Sequence, residues 1–130
     1  MGLEDMPEMQ VLDEDYNPIN VNRTFLDSFF IVIKGPNSKN YIFSQEGVHA
    51  HPTLYEVVFR GVLKYKYNVD DKNYPSDFKA LNGGHLRIKD GQLTLYGKSE
   101  QYGKYEEQAV SPIIEKWTKE NFPTHNIIFK

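Results

Sequence analysis

The sequence predicts an α+β domain, a mixed β-sheet with two principal helices packed against it. Three observations lead there. Phe29–Ile33 is a continuous apolar run of aromatic and β-branched residues, too short for a helix and suited to a central strand. After Pro52, the residues Leu54, Val57, Val58, Val62 and Tyr65 recur on one helical stripe, with Glu56, Arg60 and Lys64 on the other side. Around Asp90-Gly91, Leu86 and Ile88 on one side and Leu93 and Leu95 on the other alternate with mostly polar neighbours. That is the pattern of an antiparallel hairpin turning at the glycine.

The elements then follow in order. Thr24–Lys34 is a strand, Gly35-Pro36-Asn37-Ser38 a turn, and Asn40–Ser44 a second strand paired with the first. Pro52 suits the first position of a helix that runs to about Lys66 or Tyr67, its apolar face widened by Phe59 and Leu63. Asn68–Asp77 reads as a solvated polar loop, and Phe78–Leu81 as a short strand leading into the hairpin of His85–Ile88 and Gln92–Tyr96. Ser111-Pro112 resembles an N-cap followed by a first-turn proline. Glu106–Asn121 is the second helical stretch, and its firm part is therefore Pro112 to about Glu120, with Ile113, Ile114 and Trp117 on its buried side. Residues 104–110 are a preceding turn or a kinked extension. Asn126–Phe129 is a final strand.

A chain of 130 residues suits one domain with a real core. Having no cysteine, it has neither disulfides, thiolate metal sites nor a cysteine nucleophile. No apolar run approaches the roughly 20 residues that span a bilayer, and the N-terminus lacks the basic and apolar regions of a secretory signal. The expected setting is intracellular, in the cytoplasm, without a membrane. The net charge of −3 conceals an asymmetry. Residues 1–22 hold six of the 18 acids and no Lys or Arg, leaving 12 acids against 15 bases in the remainder. The expected organisation is an acidic leader over residues 1–22 and a mildly basic domain over 23–130. The leader lacks clear periodicity and alone resembles a disordered segment; it either packs on the body through Met6, Met9, Val11, Leu12 and Tyr16 or serves a protein partner. The weak basic bias and the lack of a recognisable module argue against duplex nucleic acid as a ligand.

Candidate chemistry gathers in two places. The segment Gly97-Lys98-Ser99-Glu100-Gln101-Tyr102-Gly103 is bracketed by glycines and precedes a helix, so successive backbone N–H groups there can form an anion-binding concavity. Its plainer reading is a strand-to-helix connection. His49 and His51, two apart, point the same way on an extended backbone and with His85 could in principle form a three-histidine metal site. Their spacing is not diagnostic, and no metal or cofactor is expected. His51 beside an anion site would suit a general base, and it is equally a surface or capping histidine.

HPTLYEVV, LNGGHLRI, the glycine-containing hairpin, LTLYGKSEQYG and a C-terminal helix ending near Phe122-Pro123 together resemble the Janus/phosphohistidine phosphatase family over roughly residues 24–129. The resemblance implies a small α+β fold and metal-independent hydrolysis of phosphohistidine in proteins. It implies that His51 activates water and that Ser99 and the backbone N–H groups of Glu100 and Gln101 hold the phosphate. Lys98 is a further phosphate-binding candidate from the loop itself, with Arg87 and Lys104 as nearby cations. Gly83, Gly84, Gly97 and Gly103 would shape the surrounding backbone. The implied partner is a phosphohistidine-bearing protein or other phosphate-containing ligand. The sequence departs from the family where a lysine gives way to the neighbourhood of Leu26, Asp27 and Ser28, and where arginines give way to Phe43 and His85. It also places Glu100 and Gln101 where the family has small residues. These departures raise a second expectation, a catalytically inactive module of the same fold that acts through protein contacts.

Overall fold

A computed structural model describes residues 3–70 and 77–130. In chain order a short 3-10 turn (Leu3–Asp5) is followed by β1 (Met9–Leu12), β2 (Phe25–Lys34), β3 (Asn40–Gln45), α1 (His51–Val58), a π-helical stretch (Phe59–Lys64) and α2 (Tyr65–Tyr67). Then come β4 (Lys79–Lys89), β5 (Gln92–Tyr96), α3 (Glu107–Asn121) and β6 (Asn126–Phe129). The strands form one six-stranded mixed sheet in the order β1-β3-β2-β4-β5-β6. The outer pairs, β1 with β3 and β5 with β6, are parallel, and the pairs between them are antiparallel. The α+β architecture read from the sequence is present, and the strands expected from residues 24–45 and 126–129 fall where their composition put them.

The hairpin between β4 and β5 turns as its Asp-Gly pair requires. Lys89 pairs with Gln92, and the two loop residues Asp90 and Gly91 have φ of +53° and +74°, the sign that a type I′ turn demands at both positions. The strand before it is longer than expected. Asn82-Gly83-Gly84 has poor strand propensity, yet β4 runs unbroken through it because β2 pairs with it along almost its whole length. A register shift opposite Val32/Ile33 breaks the alternation near Leu81 and hides the strand from a period-2 reading.

The acidic leader belongs to the sheet. Met9–Leu12 adds to the edge of β3, and the chain returns through a turn in which the Asp13 carboxylate accepts the N–H groups of Asp15 and Asn17. Met6, Met9, Val11, Leu12 and Ile19 are buried, whereas Tyr16 is largely exposed and lays its ring over Gly61. Ile19 N–H donates to Val11 C=O and closes the turn.

Both helices span close to the stretches read from the sequence, Pro52 to about Tyr67 and Glu106–Asn121, and differ from that reading inside them. The first segment begins at His51, one residue before Pro52, and ends at Tyr67 as expected, but its middle is π-helical. The wider turn shifts the stripe by one residue. Tyr65, expected on the buried face, is 77% exposed, and Tyr67, five residues after Val62, is buried in its place. Asn68, in the left-handed conformation at φ +57°, ends the helix, and Val69 N–H reaches back to Leu63 C=O. Residues 71–76 of the predicted polar loop lie outside the described residues. In the second helix Ser111 is not the N-cap. The helix starts at Glu107, Glu106 occupies the cap position, and Pro112 lies inside. Burial outweighs the proline. Val110 and Ile114, four apart, seat the earlier turn against the sheet, and Ile113 and Trp117 pack beside them half-buried.

Two cores result, one on each face of the sheet. On the α1 face, Ile31, Ile33, Tyr41 and Phe43 meet Leu54, Val58, Val62 and Leu63. On the α3 face, Phe30, Val32, Ile42, Leu86, Ile88, Leu93 and Leu95 meet Val110, Ile114 and Phe122. Each aliphatic side chain so buried contributes about 1.5–3 kcal/mol relative to exposure. Within the α3-side layer, Ser44 donates to Phe29 C=O and its hydroxyl oxygen lies 2.6 Å from that of Ser28, so two buried hydroxyls satisfy each other.

Candidate functional site

The α1 face is apolar over β1, β3 and part of β2, and it turns polar and aromatic over β4 and β5. At that boundary lies a cleft of about 330 Å³, lined by Phe29, His49, Ala50, His51, His85, Lys98, Glu100 and Gln101.

His51 occupies the first turn of α1 and is 3% exposed. Its Nε2 lies 3.0 Å from Gly84 C=O. A carbonyl only accepts, so Nε2 carries the proton, donates it to Gly84, and leaves Nδ1 with the ring's lone pair. Two features of β4 make this approach feasible. A Cβ at Gly83 would sit 2.5 Å from Phe30 O and 2.8 Å from His51 Cδ2, so only glycine lets the imidazole lie against the strand. A Cβ at Gly84 would come within 3.0 Å of Phe30 and Tyr105 on the opposite face. Burial lowers the His51 pKa below the usual histidine value. The backbone carbonyls of Gly84 and Phe30 oppose that shift, and His85 adds to it. The neutral imidazole with a free lone pair is thus favoured near neutral pH.

The aromatic floor is Phe29. His51 stacks on it at 4.7 Å between centroids, His85 meets it edge-on at 4.3 Å, and His49 approaches at 6.0 Å. The three imidazoles therefore gather around one phenyl group. Among the described residues no group of three or more His, Asp or Glu side chains is placed to hold a metal.

The loop 97–103 forms the remaining wall. Ser99 N–H donates to Gly103 C=O and Gly103 N–H to Ser99 C=O, while Tyr102 N–H donates to the Ser99 hydroxyl at 3.0 Å. Gly83 N–H donates to Gly103 C=O and ties the loop to β4. Gly97 and Gly103, with φ of +68° and +92°, supply the conformations that close it. Ser99 is 1% exposed, its hydroxyl engaged inside the loop and outside the cleft lining. Lys98, Glu100 and Gln101 are the loop residues that face the cleft. Among the described residues, no backbone carbonyl takes up the N–H groups of Glu100 and Gln101.

Two cations near the loop in sequence point elsewhere. Arg87 lies over the Tyr96 ring at 4.8 Å, and Lys104 over Tyr105 at 5.6 Å. Among the described residues Lys98 is the one Lys or Arg in the cleft lining, and Glu100 lines the same space. Of the positions that depart from the family pattern, Phe43 is buried in the core, Ser28 is paired with Ser44, and Asp27 accepts the Tyr96 hydroxyl. His85, Glu100 and Gln101 line the cleft. Sequence reasoning identified His51, Lys98 and the 97–103 loop; it missed Phe29, whose apolar run marked it only as core.

A scan against protein-family models and a search of curated proteins each return no match to this chain. Among the described residues no helix is long and apolar enough to cross a membrane.

Proposed function

We propose that the protein is an intracellular, metal-independent phosphatase that hydrolyses phosphohistidine in proteins. The observation that carries this reading is His51. It is a buried imidazole whose Nε2–H is taken by a backbone carbonyl and whose other nitrogen keeps a lone pair. It stands in the wall of a cleft also lined by Lys98, Glu100 and Gln101, the last two with N–H groups that no backbone carbonyl among the described residues takes up. His51 Nδ1 takes a proton from water as the oxygen attacks phosphorus. Lys98 and the N–H groups of Glu100 and Gln101 receive the phosphoryl oxygens, where charge is spread in the transition state. Ser99 holds those N–H groups in place by pinning the loop.

A second reading, an inactive module of the same fold, is favoured by Glu100. Glu100 lines a cleft in which, among the described residues, Lys98 is the one Lys or Arg, and an acid there disfavours an anion. In this reading the protein acts through protein contacts, including the acidic turn of residues 13–15.

The test is phosphate release from a phosphohistidine-bearing protein by the wild type and by His51→Ala. The phosphatase reading expects release that falls about 10²–10⁴-fold in the variant. Background release from a wild type that is folded by circular dichroism selects the module.

A further inference from the structure

We infer that His85 is a second catalytic residue, the general acid that protonates the imidazole leaving group as the P–N bond breaks. The inference rests on the phosphatase reading and adds to it the half of the reaction that His51 does not serve. Departure of an unprotonated histidine side chain from phosphorus would generate an imidazolide anion, a poor leaving group, so a proton delivered to that nitrogen lowers the barrier directly.

His85 is built for that position. Its backbone pairs with Phe29 on β2 and Tyr96 on β5, in the middle of the sheet. Its ring is clamped between the edge contact with Phe29 and a stack on Tyr96 at 5.1 Å and 24°. Gly97 supplies the space: a Cβ there would lie 2.5 Å from His85 Cδ2. Tyr96 is itself fixed, since its hydroxyl donates to Asp27 at 2.8 Å and Arg87 covers its ring. The His51 and His85 rings stand at 87° with centroids 6.1 Å apart, on the lining of one cleft. One is a buried base with its proton directed into a carbonyl, and the other a ring facing the cleft with Glu100 on the wall beside it.

The charges around His85 come from each neighbouring element: His51 on α1, His49 before it, Asp27 on β2, Arg87 on its own strand, and Lys98 and Glu100 on the loop. In the reaction, water oxygen forms a bond to phosphorus and its proton passes to His51. The P–N electron pair returns to the substrate imidazole, which takes the proton of the His85 imidazolium. Exchange with solvent then returns both histidines to their starting states.

The test compares wild type, His85→Gln and His85→Asn on two substrates across acid to alkaline pH. One is phosphohistidine; the other is a nitrophenyl phosphate, whose leaving group departs as a stable anion and needs no proton. We expect wild-type kcat/KM for phosphohistidine to fall on the alkaline side, the limb that general-acid catalysis gives. In both variants that limb disappears and the rate drops about 10²–10⁴-fold, with little change for the nitrophenyl ester. Wild-type hydrolysis of phosphohistidine without an alkaline limb overturns the inference and leaves the phosphatase reading standing, as does an equal loss on both substrates. A folded wild type that hydrolyses neither substrate overturns both.

Discussion

The two faces of the sheet carry comparable cores and have opposite fates. Beneath α3, all six strands contribute apolar side chains, from Met9 and Val11 at one edge to Ile127 and Phe129 at the other. Beneath the first helix, the buried apolar contribution comes from β1, β2 and β3, with Ala80 at the start of β4. α3 packs against β1, β3 and β6, while α1 packs chiefly against β2 and β3. The covered face is a structural layer. The half-covered face ends in a row of His85, Arg87, Thr94 and Tyr96, and the candidate site opens beside the first turn of α1. A cleft here needs no cavity carved into the core, only a helix shorter than the sheet it lies on.

This contrast can be broken by substitution. The largest effect is expected on the closed face. Phe30 is 1% exposed and packs on Tyr105, so Phe30→Ala should cost about 3–5 kcal/mol in urea unfolding. A loss below about 1 kcal/mol would show that the layer under α3 is not tightly packed. An intermediate effect is expected at the boundary. Gly83→Ala places a methyl group against Phe30 O and the His51 ring, and should cost about 1–3 kcal/mol and displace His51. Its NMR signature is a changed His51 ring shift, and an unchanged shift would mean that the ring does not lie against β4. Gly91→Ala meets open space and carries only the strain of φ +74°, roughly 1–2 kcal/mol, with the site undisturbed.

The smallest effect is the pH dependence from His51. Its folded pKa is depressed by burial, so the unfolded chain binds the proton more readily. The stabilisation of the neutral ring is complete above the unfolded value of about 6.5 and is lost as pH falls through the folded value. Stability measured by urea unfolding should therefore decline on acidification below about pH 6.5. His51→Gln should reduce that slope, and an equal slope in both proteins would place the ring in solvent.

Much of this fold was legible because its signals are local. The Asp90-Gly91 turn, the Phe29–Ile33 run and the stripe beginning at Leu54 each declare themselves within a few residues. The leader strand did not, because MQVL sends side chains to both cores and its partner, Ile42–Gln45, lies some 33 residues away. The proline at 112 misled because a strong local signal for a helix start was overridden by burial of Val110. In the site, His51 and the glycine-bracketed loop stood out in the sequence, but the role of Gly83 depends on a histidine 32 positions earlier approaching its strand.

Residue chemistry along the chain was enough to determine an α+β domain, its inner hairpins, two helical stripes and the residue types available for chemistry. Tertiary structure decided which of them meet. It laid Phe29 under three imidazoles, turned the Nε2–H of His51 into Gly84, drew Ser99 into its own loop and left Lys98 and Glu100 facing one space. Periodicity reports which side of an element is buried, and it carries no information about which element will cover that side. Coverage depends on strand order, register and the length of the covering helix, and those arise only when distant segments pack together.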